Sequence, residues 1–331
     1  MEVGKLPNEI LEKIVIANIK NKREEVLVRA AVGEDTAIID FGEDVCVMST
    51  DPITGATKDI GRLAVHISCN DVATSGAEPI GVLLTILAPP NTREEDLEEI
   101  MKDAGRASEE INVEIVGGHT EITDAVNRIV ISTTVLGKQV REKLPNSKAI
   151  KDGDKVLITK YAGIEGTSII AKELEVLLID KIGKEKLDIA KNMDNMLSVV
   201  KEGRICGEIG VHYMHDITEG GVLGAVWEAS KATGKGIRVI EELIPVKDVT
   251  REIADILGID LYKLISSGSM LIIASEEKVL KIKQELEKVN IKSTVIGEII
   301  DKGTIIEKNG RNYHIQSPAS DELYKALAFD K

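Results

Sequence analysis

Several residue types are scarce in this chain of 331 residues, and each scarcity excludes a class of protein. The three cysteines, Cys46, Cys69 and Cys206, are scattered, odd in number and without a C-x-x-C pair. They argue against a disulfide framework and a structural zinc site, and they favour a reducing, cytoplasmic location. One Trp, five Tyr and two Phe are too few aromatic residues to form a platform for stacking nucleic-acid bases.

Positive charge is also in short supply. The sequence has 42 Lys and Arg against 56 Asp and Glu, which gives a net charge of −14 at pH 7. An acidic surface repels phosphate backbones, so we expect no nucleic-acid partner. No apolar run approaches the ~18 residues of a membrane-spanning helix, so we expect no membrane partner either. An ATP-type substrate would need a bound cation or a local cluster of donors.

Familiar catalytic motifs are absent as well. The chain has neither G-x-x-x-x-G-K-[S/T] nor G-x-G-x-x-G, which are the two common nucleotide-binding loops. It has neither the G-x-S-x-G elbow nor H-E-x-x-H, which removes the best-marked hydrolases and zinc proteases. The function must therefore be sought in less conspicuous patterns.

The length suits about two domains, each with its own core. Strands and helices alternate in both halves, which predicts a mixed α/β (α+β) fold. The polar, turn-rich segment 138–153 indicates a boundary, so we predict domains over residues 1–145 and 150–331.

Acidic residues occur where predicted elements begin or end. Asp35 follows a Gly-led turn before one strand, and Asp51 ends the next. Asp71 lies with Asn70 on an amphipathic helix that begins after Asp59 and ends before Pro79. Further acids belong to this set: Glu121, Asp216 and Glu219.

Glycine pairs accompany these acids. The nearly all-apolar strand 80–87 is predicted to be buried on both faces. The next strand, 113–116, is predicted to end in the turn Gly117-Gly118-His119-Thr120-Glu121. A helix opens at Gly220-Gly221 after a short strand and an acidic turn.

Carboxylates beside glycine-rich turns suit Mg²⁺ together with phosphate, because Mg²⁺ prefers oxygen ligands and turn N–H groups can face phosphate oxygens. Asp and Gly are also common in ordinary turns, and for any single turn that explanation is the better one. All the turns together favour a metal–phosphate site. His119 could bond phosphate or cap a turn, and the same two interpretations apply to His215.

The order of these pieces resembles the aminoimidazole ribonucleotide synthetase (PurM-like) superfamily of ATP-binding enzymes, over almost the whole chain. The likeness to its HypE branch is carried by G-K-L-P (4–7) and D-I-G-R-L-A (59–64). The superfamily motifs are G-E-D-T-A (33–37), S-T-D-P (49–52), N-D-V-A-T-S-G-A-E-P (70–79), V-G-G-H-T-E (116–121) and H-D-I-T-E-G-G-V (215–222).

The resemblance implies an N-terminal half that forms a β-barrel with a second subunit, and a C-terminal half that covers a nucleotide cleft. It implies a homodimer that uses Mg-ATP to activate an acceptor oxygen by phosphoryl transfer, in the HypE branch with a hydrogenase maturation partner. The implied metal positions are Asp35, Asp51, Asp71 and Asp216, with Glu121 as a further candidate. Together with the glycine turns, the predicted nucleotide or phosphate positions are Asn70, Asp71, Gly117, Gly118, His119, Thr120, Gly220 and Gly221.

Departures from the family patterns leave the specific reaction open. HypE proteins carry a C-terminal cysteine as the carbamoyl acceptor, whereas this chain ends A-L-A-F-D-K and its last cysteine is Cys206. G-G-H-T replaces the G-G-D-T of HypE and thiamine-monophosphate kinase. Selenophosphate synthetase has G-G-H-T, but its N-terminal catalytic cysteine has no counterpart here. The alternatives are a non-catalytic nucleotide-binding accessory protein and an enzyme like thiamine-monophosphate kinase or selenophosphate synthetase.

Overall fold

The computed structural model describes residues 8–19, 21–54, 59–318 and 320–329. Within these ranges the chain is a mixed α/β structure with two β-sheets. None of the helices in these ranges is long and apolar enough to cross a membrane. The segment G-K-L-P, residues 4–7, lies outside the described residues.

The N-terminal half is built on six strands. Its helices are α1 (Asn8–Ile10), α2 (Ile60–Thr74) and α3 (Glu94–Ile111), and α1 continues as a π-helix, Leu11–Val15, and a 3-10 turn, Ile16–Asn18. The strands are β1 (Val26–Val28), β2 (Ala37–Asp40), β3 (Asp44–Ile53), β4 (Glu78–Ala88), β5 (Glu114–Ile122) and β6 (Val130–Val140). They form one sheet in the order β1-β2-β3-β6-β4-β5, in which β4 and β5 are parallel and the other pairs antiparallel.

The C-terminal half follows two 3-10 turns, Arg141–Lys143 and Ser147–Ala149. Its strands are β7 (Lys155–Thr159), β8 (Tyr213–Asp216), β9 (Gly236–Ile240), β10 (Met270–Ala274), β11 (Ser293–Ile300), β12 (Thr304–Lys308) and β13 (Arg311–His314). Its helices are α4 (Ile164–Glu173), α5 (Glu175–Ile182), α6 (Lys184–Lys191), α7 (Val200–Ile209), α8 (Gly221–Thr233), α9 (Asp248–Leu257), α10 (Glu276–Glu287) and α11 (Glu322–Leu327). The strand order is β13-β12-β9-β11-β7-β10-β8.

Helix α2 lies at the centre of the molecule. All of its residues except Arg62 and Ile67 are buried, although the sequence predicts burial on one side. The reason is that it packs against the N-terminal sheet and also joins a core that includes Leu157 and Met270 of the C-terminal half. Helix α7 approaches it closely at Gly203, where a Cβ atom would lie 2.2 Å from the Ala73 carbonyl oxygen.

Within a single chain, strand β4 is not buried on both faces, so the prediction is wrong for the chain by itself. Its side chains alternate between buried and exposed, and Ile80 and Leu83 remain 54% and 39% exposed. A sheet made mostly of antiparallel strands can pack one face on helices and leave the other uncovered. We call the uncovered side of the N-terminal sheet its outer face; it carries Leu83, Thr134 and Thr50, which are paired in register across β4, β6 and β3.

Two strand ends were also misplaced. Asp51 lies inside β3, which continues to Ile53, and does not end the strand. The Gly117–Glu121 segment is not a turn but part of β5. A Cβ atom at Gly118 would lie 2.0 Å from the Leu84 carbonyl oxygen, so glycine here permits a close approach of β5 to β4.

Candidate active site

A cleft of about 890 Å³ lies between the two halves. One wall comes from β2, β3, β6 and α2, and the other from α4, α11 and the loop after β8. Among the described residues, its lining contains no Lys or Arg. The acidic lining residues are Glu34, Asp35, Asp51, Asp71, Glu165, Asp216, Glu219 and Asp321.

Four of the predicted metal ligands line this cleft. Asp35 precedes β2, Asp51 lies on β3, and Asp216 is the last residue of β8. Asp71 reaches the cleft because it follows Leu63 and Ile67 at four-residue intervals on one face of α2. The structure therefore brings Asp35, Asp51, Asp71 and Asp216 together; we call them the aspartate end of the cleft.

Asp71 is buried, and the Ser49 hydroxyl donates a hydrogen bond to its Oδ2. Burial raises its pKa well above the usual range, and the charges of Asp216, Asp51 and Asp35 raise it further. The Ser49 bond acts in the opposite direction but does not overcome them. This mutual repulsion is what a bound cation would relieve.

Asp216 gives the clearest sign of a missing partner. It is 1% exposed, and its Oδ2 has no hydrogen-bond partner among the described residues. Burial, followed by the charge of Asp35, raises its pKa to about 8, although His215 acts to lower it. A buried carboxylate oxygen without a partner is costly, so this atom fits the role of a ligand to a hard cation.

His215 holds the aspartate end in place. Its Nδ1 lies 2.7 Å from Asp35 Oδ2, and its Nε2 lies 3.0 Å from Glu228 Oε2. Burial acts to lower the pKa of His215, but the two carboxylates outweigh it and raise the pKa well above its ordinary value. His215 is therefore a positioning residue for Asp35, and the sequence alone did not reveal its partner Glu228.

The donor set fits a hard cation. Ligand atoms of Asp35, His215 and Asp216 all lie within 4.8 Å of one another. Among the described residues, this is the one group of three or more potential ligands that lie so close together. Both nitrogens of His215 are already hydrogen-bonded to carboxylates, which leaves the aspartate oxygens as the available ligands. Carboxylate oxygens are what Mg²⁺ takes from proteins.

Three other predicted residues have their polar groups engaged elsewhere. The Asn70 side chain donates to the Leu197 carbonyl and accepts from the Val199 N–H, so it joins α2 to the C-terminal half. The N–H groups of the glycine pair at the start of α8 already have protein acceptors. Gly220 N donates to Asp321 Oδ2 at 2.7 Å, and Gly221 N donates to the Thr218 carbonyl at 3.1 Å.

The predicted residues on β5 do not line the cleft of this chain. Gly117, Gly118, His119, Thr120 and Glu121 are exposed, and His119 Nε2 lies 3.4 Å from Glu121 Oε2. The sheet register nevertheless places His119 in one row with Thr85, Ser132 and Pro52, and Pro52 lines the cleft. Three strand spacings separate the ends of this row, about 14 Å.

A second group of acids in the cleft lining includes two, Glu165 and Asp321, that the sequence did not indicate. Glu165 lies in the first turn of α4, and Asp321 caps α11 by accepting from the Leu323 N–H at 2.8 Å. With Glu219 they form what we call the glutamate end. A glutamate directly after a Gly-led loop and an aspartate before a helix were the available signals, and both are common without any function.

Comparison with known proteins identifies the family to which this architecture belongs. The profile of the AIR synthase related protein N-terminal domain matches residues 33–139, and that of the C-terminal domain matches residues 151–308. A Methanocaldococcus jannaschii protein, named provisionally as a hydrogenase expression/formation protein, is 28% identical over 97% of this chain and 96% of its own length. Carbamoyl dehydratase HypE of Bradyrhizobium diazoefficiens is 27% identical over 75% of this chain and 71% of its own length.

Solved structures agree with the sequence matches. A chain of the HypE–HypF complex superimposes with a TM-score of 0.78 and 25% identity, over 93% of this chain and 99% of its own. A thiamine-monophosphate kinase from Aquifex aeolicus shares the fold, with a TM-score of 0.70 at 16% identity over 92% of this chain and 97% of its own. The fold is PurM-like. The chain belongs to the AIR synthase related protein family, and its relatives include HypE proteins.

Proposed function

We propose that this protein is a Mg²⁺- and ATP-dependent enzyme that activates an oxygen of an acceptor by phosphoryl transfer. The observation that carries the proposal is the meeting of four aspartates from both halves in a cleft whose described lining has no Lys or Arg. Such a cleft repels a polyphosphate unless divalent cations accompany it. A HypE structure of the same fold in complex with ATP supports the choice of nucleotide.

Each residue of the aspartate end has a role in this proposal. Asp35, Asp51, Asp71 and Asp216 would hold Mg²⁺, whose contribution is to neutralise charge on the phosphates. Ser49 orients Asp71 through its hydroxyl, and His215 orients Asp35. Catalysis of this kind rests on positioning, which such buried contacts supply.

The relatives support a proposal for the biological setting. Several are named as carbamoyl dehydratase HypE, and one solved relative is in complex with HypF. We therefore place this chain in hydrogenase maturation in the cytoplasm, with a HypF-like protein as its partner. A mixing experiment analysed by size-exclusion chromatography tests the partner, and separate elution of the two proteins at micromolar concentration would contradict it.

A second copy of the chain is the proposed occupant of the outer face. This face exposes Ile80 and Leu83, and it continues into the cleft through Thr50 and Thr134. A second copy packed there would cover apolar side chains and border both the cleft and His119. Sedimentation equilibrium tests this arrangement: the parent should be a dimer, and Leu83→Asp should shift it towards monomer.

Calorimetry with Mg-ATP tests the core of the proposal. We expect binding heat with Mg²⁺ and its loss with EDTA, and then ATP consumption in a screen of acceptors that includes thiamine monophosphate and carbamoyl-bearing peptides. The absence of binding heat would refute the proposal. Binding without turnover, even with a HypF-like protein present, would identify a nucleotide-binding accessory protein instead.

A further inference from the structure

We propose that the glutamate end of the cleft binds the acceptor substrate through a positively charged nitrogen, a primary ammonium or a guanidinium group. This inference rests on the proposed function, because it assigns the aspartate end to Mg-ATP and the glutamate end to the second substrate. It concerns Glu165 and Asp321, to which the sequence motifs assign no ligand, together with Glu219, which the sequence grouped with the acids of the metal–phosphate site.

Glu165 supplies the central observation. Its side chain is 4% exposed and lines the cleft, yet its Oε2 has no hydrogen-bond partner among the described residues. Its position in the first turn of α4 gives a carboxylate favourable helix-dipole energy, but that does not satisfy the oxygen. A buried carboxylate oxygen left in this way calls for a donor from a ligand.

Two cations of the described residues, Arg62 and Lys172, border a small adjoining pocket shared with Glu165, and both are paired with other carboxylates. Arg62 lies 3.0 Å from Glu110, and the Lys172 ammonium is paired with Asp59 and, at 2.6 Å, with Asp194. Burial raises the pKa of Glu165, Ser267 acts to lower it, and the charges of Asp321 and Glu219 raise it further. The local field at this end of the cleft is therefore negative and favours a positive ligand.

The neighbouring acids are rigidly placed. Asp321 accepts from the backbone N–H groups of Gly220 at 2.7 Å, Leu323 at 2.8 Å and Ile265 at 3.2 Å. Tyr324 donates its hydroxyl to Glu219 Oε1 at 3.4 Å. These bonds fix the position of negative charge beside the unpartnered oxygen of Glu165 without neutralising it.

The arrangement favours a nitrogen cation over a metal ion. A metal needs ligand atoms that converge on one point, and among the described residues the close group of ligand atoms is at the aspartate end, not here. Ammonium and guanidinium groups carry several N–H donors that point in different directions, so they can serve separated oxygens. Ile169, Ile265 and Leu323 line the same region and suit an aliphatic stem.

The test uses putrescine, a diammonium, and 1,4-butanediol, a neutral analogue of the same chain length. Calorimetry first establishes whether the parent binds the non-hydrolysable nucleotide Mg-AMPPNP; failure at this step would refute the proposed function alone. Putrescine and butanediol are then titrated by ligand-observed NMR into both the free and the nucleotide-loaded protein. We expect putrescine to bind and butanediol not to bind; equal behaviour of the two would overturn the inference.

Variants assign the binding to this end of the cleft. Glu165→Gln should weaken putrescine binding by about tenfold or more, as expected for a lost charge-assisted hydrogen bond, and leave Mg-AMPPNP binding within about twofold. Glu185→Gln, an exposed site on α6, is the matched control. Glu219→Gln, at a less buried position, repeats the test if Glu165→Gln folds poorly. Loss of nucleotide or of a bound Mn²⁺ ion in Glu165→Gln would overturn the inference.

Discussion

At the aspartate end of the cleft, Asp35, Asp51 and Asp71 come from the N-terminal half and Asp216 from the C-terminal half, whereas Glu165, Glu219 and Asp321 all belong to the C-terminal half. The aspartate end gathers ligand atoms of Asp35, His215 and Asp216 within 4.8 Å, while the acids of the glutamate end form no such group among the described residues. Convergent carboxylates suit a metal ion, and separated ones suit a ligand with several N–H donors.

The two ends also differ in how their acids are held. Side chains orient the aspartates, through Ser49 on Asp71 and His215 on Asp35. Backbone N–H groups orient Asp321 at the glutamate end. Side-chain partners can be removed by substitution, so the aspartate end can be disrupted one contact at a time.

The largest effect is expected from His215→Ala. The change leaves Asp35 and Glu228 without their shared partner in a buried site, and breaking a buried charged pair costs about 3–5 kcal/mol of unfolding free energy. Urea denaturation measures the loss. His212→Ala is the control, because His212 bonds Asp154 at 2.8 Å in a less buried site and should cost less. Equal losses in the two variants would show that His215 has no special structural role.

Asp71→Asn should weaken Mg-ATP binding by about 10- to 100-fold and leave the fold intact. The amide fills the same space, and it removes a charge that burial and neighbouring aspartates disfavour in the free protein. Isothermal titration measures the affinity. Asp44→Asn, at an exposed ion pair with Lys138 on the same sheet, should bind as the parent does. Unchanged binding in Asp71→Asn would remove Asp71 from the site.

Glu165→Gln should change how stability depends on pH. Burial raises the Glu165 pKa from 4.5 to about 7, and Asp321 and Glu219 contribute to the rise. As pH rises, the unfolded chain therefore releases the Glu165 proton at a lower pH than the folded chain does. The free energy of unfolding of the parent falls between pH 4.5 and about 7. The loss amounts to roughly 3 kcal/mol. Glu165→Gln lacks this loss, so its free energy of unfolding, measured by urea denaturation, should rise relative to that of the parent across this pH range. The free energy of Glu185→Gln should not. A constant difference across the window would contradict the assignment.

The smallest effect is expected from His119→Ala. The imidazole is 68% exposed, lies near Glu121 and does not line the cleft of its own chain, so Mg-ATP binding should change by less than about threefold. Titration of Mg-ATP at concentrations above and below dimer dissociation provides the measurement. A loss greater than this, confined to the dimer, would place β5 at the nucleotide of a second copy.

Much of the fold could be predicted from local patterns. The helix after Asp59 and the helix opening at Gly220-Gly221 are confirmed, because the spacing of apolar residues and the glycine pair encode them directly. The prediction that β4 is buried on both faces is wrong for the single chain, because apolar composition does not say whether one or two faces are covered. The domain limits and the site residues stay predictions.

The sequence by itself determined the family, the central helix with Asp71 and the order of the acidic motifs, because these depend on neighbouring residues. Only the tertiary structure decided which acids meet. It paired His215 with Asp35, 180 positions earlier in the chain, and so brought the neighbouring Asp216 beside Asp35. Gly117–Thr120, predicted as a turn, lie on an exposed strand, and Glu165, an ordinary residue in the sequence, lies in the wall of the cleft. Burial and the proximity of charges arise from packing between the two halves, and no single segment of the sequence specifies that packing.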